Sequence, residues 1–288
     1  MGNFNVYMKQ NILVIGISVL LLIATHASWA QGCNAPLFFC QSDEVTTFST
    51  ADAPPVALLP APPAFCFDTT NTMFLEFHTL SQEYIDANSV NFIGEAELQL
   101  SGLDCSNVPG TPAIDLAVVT ASQLCSPNTF SDHLACEEDI TANSISVDLN
   151  DLLPDTTYYV VINTGIVEND VTPVDCEFDI SVNGPAVEYN LNAAADPITI
   201  ISGQTSNLTS NAGFDNYQWS GPELEQTEGQ NTSVTLEEEN MQYQYNVTAE
   251  IDGCEIQDEV IVEVVPALTI PNTMTPNGDG YNDTWDIG

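Results

Sequence analysis

Beyond Lys9 the 288-residue chain contains no lysine and no arginine, against 41 aspartates and glutamates. Nothing is there to neutralise phosphate, so nucleic acid is excluded as a partner. Anionic membranes are disfavoured for the same reason. Trypsin-like proteases find no cleavage site beyond Lys9. The formal net charge of −40 opposes a compact state by self-repulsion. Yet 44% of the residues are hydrophobic, so the chain is not a disordered acidic tail. Folding at this charge calls for screening salt or bound divalent cations. A calcium-loaded surface protein and a protein adapted to saline water both fit.

Long apolar runs are missing after the first thirty residues. Within those thirty stand Lys9, an apolar run from Ile12 to Ala24, and Ser28-Trp29-Ala30. That order is charged region, apolar region and small-residue cleavage site of a secretory signal peptide. The run is too short for a membrane span. The expectation is cleavage after Ala30 and an extracellular or outer-surface destination.

Catalytic signatures are equally scarce. The sequence has no G-x-S-x-G elbow, no H-E-x-x-H and no phosphate loop. Only His78 and His133 follow the signal segment. Carboxylates abound, but no pair stands out as an acid/base couple. The expectation is a protein without catalytic function.

Eight cysteines are present: Cys33, Cys40, Cys66, Cys105, Cys125, Cys136, Cys176 and Cys254. Export permits disulfides, and the spacing lacks the paired C-x-x-C of a zinc site. Cys125 and Cys136 flank a polar loop and are expected to staple it. Cys33 and Cys40 could close a short N-terminal loop. Seven cysteines precede residue 180, so one of them stays free or reaches Cys254.

The body of the chain reads as short strands split by turns. Residues 31–65 form a proline-rich, cysteine-containing segment. Over 66–188 the runs 73–78, 96–100, 114–119, 144–149, 157–162 and 177–182 carry strand composition, and several alternate apolar and polar residues. Over 189–266 six more follow, at 198–201, 206–209, 216–220, 232–236, 243–249 and 259–264. No amphipathic helix is evident. The fold class is therefore all-β: a jelly-roll-like sandwich followed by a small immunoglobulin-like one, with Trp219 in the second core.

Three stretches resemble known families. Ile114-Asp115-Leu116-Ala117-Val118-Val119, the acids after Cys136 and Leu153-Pro154-Asp155-Thr156-Thr157-Tyr158-Tyr159 resemble the pre-peptidase C-terminal β-sandwich of bacterial exoproteins. Tyr217-Gln218-Trp219-Ser220-Gly221-Pro222, Tyr243-Gln244-Tyr245-Asn246-Val247-Thr248 and Asp252-Gly253-Cys254 resemble the PKD-like immunoglobulin repeats of Bacteroidetes surface proteins. Ile270-Pro271-Asn272 through Thr275-Pro276-Asn277-Gly278-Asp279-Gly280-Tyr281-Asn282-Asp283 looks like the opening of the gliding-motility-associated C-terminal domain, over 267–288. That resemblance implies sorting by the type IX secretion system, with its machinery as a partner. The sequence stops at Gly288, before the later strands of such a domain. The chain is accordingly expected to be a piece of a longer protein.

Two acidic groups are candidates for calcium. Asn277, Asp279 and Asp283 surround glycines at a spacing that can wrap a hard cation. Tyr281 stands where a further oxygen ligand is usual, and a plain glycine turn fits as well. Asp132, Glu137, Glu138 and Asp139 form the densest acid group of the first domain, read either as a calcium site at a sandwich edge or as a solvated loop. The overall expectation is a secreted or cell-surface interaction protein for adhesion, matrix or display. Its partners would be an extracellular protein or glycan surface and divalent cations. The alternative is a glycan-binding accessory module of a secreted hydrolase system, which an exposed aromatic platform, with Tyr158 or Tyr159 as candidates, would favour.

Overall fold

The computed structural model describes residues 36–40, 45–50, 65–69, 71–105, 113–123, 126, 128–131, 133–164, 174–267 and 278. Nine strands build the first sandwich. They are β1 (Leu37–Phe38), β2 (Thr46–Ser49), β3 (Thr72–His78), β4 (Ala96–Asp104), β5 (Ile114–Val119), β6 (Ala135–Ile140), β7 (Ser144–Leu149), β8 (Thr157–Asn163) and β9 (Glu177–Asn183). One sheet has the order β2-β9-β4-β7 and the other β1-β3-β8-β5-β6. Apart from the short parallel β1, this is the jelly-roll connectivity: two interleaved antiparallel sheets of four strands.

The alternation of each strand decides its inner face. In β4, Leu98 and Leu100 are buried while Gln99 is exposed; in β9, Phe178, Ile180 and Val182 point inward. They meet Leu75, Phe77, Leu116, Val118, Val160 and Ile162 of the other sheet. Each such fully buried side chain contributes about 1.5–3 kcal/mol relative to exposure. β3 departs from simple alternation because both of its faces are covered. Its Phe74 packs with Ala117, Val119 and Val161 under Phe65 and Phe67 on the outer side.

Seven strands build the second sandwich: β10 (Ala193–Asp196), β11 (Thr199–Ile201), β12 (Thr205–Ser210), β13 (Asp215–Ser220), β14 (Asn231–Thr235), β15 (Met241–Ile251) and β16 (Cys254–Val265). The sheets β10-β12-β14 and β11-β16-β15-β13 enclose Leu208, Trp219, Val234, Tyr245, Val247, Val262 and Val264. The first strand switches sheets at Pro197, which follows a cis peptide bond. β11 then runs parallel to β16. This is an immunoglobulin-like sandwich, and Trp219 is its core tryptophan, 2% exposed with its indole N–H on the Gly229 carbonyl at 3.1 Å.

The sequence reading missed several elements. β1, β2 and β10 are short and weakly patterned. β6 carries Cys136-Glu137-Glu138-Asp139 and was expected to be loop; it forms because β5 supplies a ladder along one side. A bulge opposite Asp115 absorbs the misfit, with Asp139 at φ 54. The helix α1 (Gln82–Asn88) was also unforeseen. Ser81 caps its start by accepting from the Tyr84 N–H at 3.2 Å, Glu83 sits in its first turn, and Ser89 ends it at φ 54. At seven residues it is too short to show a periodic stripe.

Two expected disulfides are corrected. Cys136 bonds Cys66, not Cys125, with Cα atoms 6.1 Å apart. Strand β6 orients Cys136 toward the outer cluster, where the Phe65–Phe67 segment lies. Cys40 bonds Cys254, not Cys33, with Cα atoms 5.5 Å apart. Closeness in sequence lost to closeness across the two sandwiches, and one of the seven early cysteines does reach Cys254. Cys105 pairs with Cys176. No described cysteine is free. Cys33 and Cys125 lie outside the described residues.

Candidate functional site

The richest convergence of polar chemistry lies where the sandwiches meet. β3 ends at His78, and α1 follows at once. The helix belongs to the first domain by chain order but packs in the second core: Leu80 and Tyr84 are buried there, with Ile85, Val90 and Phe92 against them. Tyr84, Tyr189, Phe214 and Tyr217 form an edge-to-face aromatic chain with centroid distances of 4.9–6.2 Å along it. Polar bonds sew the same seam. The Asn88 amide donates to the Ala212 carbonyl at 2.8 Å, and Asn211 donates to Asn88 Oδ1 at 2.9 Å. The Ser81 N–H donates to Tyr189 Oη at 2.8 Å. Burial pushes the Tyr189 phenol up to about 12. Gly213 has φ 98, and a Cβ there would stand 2.9 Å from the Tyr84 Cα, so only glycine admits the helix this closely.

His78 is the imidazole of the seam. Its Nδ1 lies 3.6 Å from Asp252 Oδ2, and its ring packs at 5.1 Å from Phe38. Hydrogen bonding to Asp252 holds the imidazole above its ordinary pKa, partly offset by burial and aided by the charges of Asp252, Glu76 and Asp155. Glu76 is raised chiefly by burial, with His78 opposing. Two residues beyond Asp252, Cys254 carries the disulfide to Cys40. A small cleft of ≈ 150 Å³ beside the pair is lined by Ser81, Glu83, Gly213, Phe214, Asp215 and Asp252. Ser81 Oγ is committed to the helix cap.

Of the predicted calcium-site residues, three lie among the described ones, consecutive in β6. Glu137, Glu138 and Asp139 are exposed along β6; the Asp139 N–H donates to Asp115 Oδ1 at 3.1 Å. Among the described residues no three His, Cys, Asp or Glu side chains come together as a metal site. Asp132, Asn277, Asp279 and Asp283 lie outside the described residues. Tyr158 is core, 2% exposed, stacked on Phe77 and accepting from the Leu153 N–H. Tyr159 is half-buried against the outer cluster. Burial withdraws Tyr158 from any sugar-stacking surface. In the sequence His78 is simply the last residue of the run 73–78; its partner stands 174 residues away and leaves no local signal.

No known family profile matches the chain, and no curated protein sequence matches it significantly. Several solved structures show distant likeness, three of them as follows. The four N-terminal immunoglobulin domains of Dscam1 align at 14% identity, TM-score 0.21, over 54% of this chain and 38% of that one. Tripeptidyl peptidase 2 aligns at 9% identity, TM-score 0.26, over 75% and 17%. A DUF4785 family protein from Legionella pneumophila aligns at 9% identity, TM-score 0.22, over 78% and 66%. This chain thus spans less than half the length of the first two. At these scores none of them assigns a family, and the fold rests on the strand order itself.

Proposed function

We propose that this chain is a non-catalytic secreted or cell-surface interaction protein, used in adhesion, matrix building or display, and exported by the type IX secretion route. The observation that carries the reading is the stapled junction. A cross-domain disulfide, a shared aromatic cluster and the His78–Asp252 pair hold two acidic sandwiches as one scaffold. Such a scaffold presents loops and sheet edges to the outside and keeps its polar groups in structural bonds. The disulfides suit an oxidising compartment, and no helix among the described residues is long and apolar enough to cross a membrane. The likeness of 267–288 to the opening of a type IX sorting domain supports the secretion route.

The test is surface labelling of intact source cells with an antibody to the native chain, paired with binding of the purified chain to extracellular protein and glycan arrays. Display at the surface with saturable binding is expected. Recovery only from the cytoplasm with reduced cysteines, or turnover of a hydrolase substrate, would defeat the reading.

A further inference from the structure

Edge strands expose unpaired backbone groups, and folded proteins usually block them. The second sandwich follows that rule at β10, β13 and β14. β13 is capped by the segment 227–229, through the Trp219 N–H on the Thr227 carbonyl at 2.7 Å and the Gly229 N–H on the Tyr217 carbonyl at 3.1 Å. β14 is capped by Leu224 and Glu225, the latter bonded to the Ser233 carbonyl at 3.0 Å. β10 is plugged by Asp258, which accepts from the Ala193 N–H at 2.6 Å. In the first sandwich the Cys66–Cys136 bond lays a segment against β6.

β7 has no such device. Its six residues pair with β4 on one side and end the sheet on the other. Among the described residues the outer edge makes no backbone bond to any other segment. No lysine or proline guards it. Asp148 is its one charge, and it does not deter a basic strand; it invites one. Asp148 stands directly opposite Glu97 on the solvent face, a like-charged pair that is unfavourable as it stands. Glu97 accepts from the Ser146 hydroxyl, which holds it in this row. Beyond the pair, Glu95, Asn150 and Asn183 continue into a cleft of ≈ 440 Å³ at the end of the strand. On the inward side Ile145 is only half-buried at the rim of the core.

We propose that β7 is a docking edge that takes up an extended, basic segment of another protein by strand addition. The added strand carries lysine or arginine in register with Asp148 and β-branched residues at the alternate positions, which extend the core past Ile145. Main-chain bonds supply affinity and the Asp148 row supplies selectivity. A second copy of this chain is the wrong occupant: with no base beyond Lys9 it would bring further carboxylates to the row. The inference rests on the reading of the chain as an interaction protein and names its surface.

The probe is an eight-residue peptide of alternating lysine and valine, titrated into the full disulfide-bonded chain at physiological salt. A control peptide of equal charge has proline at alternate valines, which removes ladder donors. Hydrogen exchange locates the binding. The expected result is slowed exchange confined to β7 and β4, with the proline peptide roughly tenfold weaker or worse. Asp148→Lys should weaken the valine peptide by roughly tenfold or more, and Asp148→Ser by less, neither lowering the melting point, because each relieves the like-charged pair with Glu97. Equal binding of the two peptides, or unchanged β7 exchange, would mean bulk charge attraction and overturn the proposal. So would β7 protection that appears with protein concentration alone, which marks a second copy. If the chain binds its extracellular partner undiminished by Asp148→Lys, this edge is the wrong surface while the interaction reading stands. If β7 takes the peptide but the chain is found in the cytoplasm, the reverse holds.

Discussion

The two sandwiches solve closure differently. The jelly roll is self-sufficient: two disulfides lie wholly within it, and its outer sheet face carries its own aromatic cover. The immunoglobulin-like sandwich has no internal disulfide among the described residues. It borrows Leu80, Tyr84 and their neighbours from the first domain, and it shares its cysteine with Cys40. A domain of about 75 residues buries a limited apolar area by itself, and the borrowed helix supplements it. The second core therefore reaches back across the border near residue 188 to take in Leu80 and Tyr84.

The largest test of that asymmetry is removal of the shared bond. The Cys40–Cys254 link closes 214 residues of chain. The double replacement Cys40→Ser with Cys254→Ser should cost about 3–5 kcal/mol. In chemical denaturation the second sandwich should then unfold first, leaving the jelly roll intact. A single cooperative transition at the original midpoint would refute the dependence. Next in size is Tyr84→Ala, which empties the seam and should cost about 3 kcal/mol. Hydrogen exchange should rise in β12 to β16 more than in β4 to β9. Gly213→Ala should act in the same direction by pressing on Tyr84.

Tyr245→Phe should do the opposite. The phenol is buried with no hydrogen-bond partner, and burial pushes its pKa up to about 12. Removing the hydroxyl should return about 1 kcal/mol, read as a higher melting point. The smallest effect belongs to His78. Its folded-state pKa is raised above 6.5, so the stabilisation is fully present below about pH 6.5 and fades as pH rises through the raised value. The pair is partly exposed, so the amount is under about 1 kcal/mol. Replacing His78 by Gln should flatten the melting difference between pH 6 and pH 9, in part only, because the raised pKa of Glu76 makes its protonation favour the fold at lower pH.

Strand positions were legible wherever composition and alternation agreed. β5 and β7 match the sequence reading residue for residue, and β3, β8, β9 and β15 differ only at their ends. Those segments have one wet face and one dry face, or two dry ones, and both signatures are local. β6 and α1 were not legible. The first is a strand of acids held by a neighbour's ladder; the second is a seven-residue helix whose apolar side faces another domain. The candidate site was nearly invisible for the same reason. His78 and Asp252 look ordinary until β3 and the β15–β16 turn are placed side by side. The disulfide expectations failed where they relied on nearness along the chain.

By itself the sequence determined the charge, the absence of bases and the two-residue rhythm of the strands. These decide an all-β protein with an excess of carboxylates. Only the tertiary structure decided which cysteines meet, which core owns α1 and that β7 ends its sheet. Those are properties of segments brought together from opposite ends of the chain. Their free energies arise from contacts that no window of neighbouring residues contains.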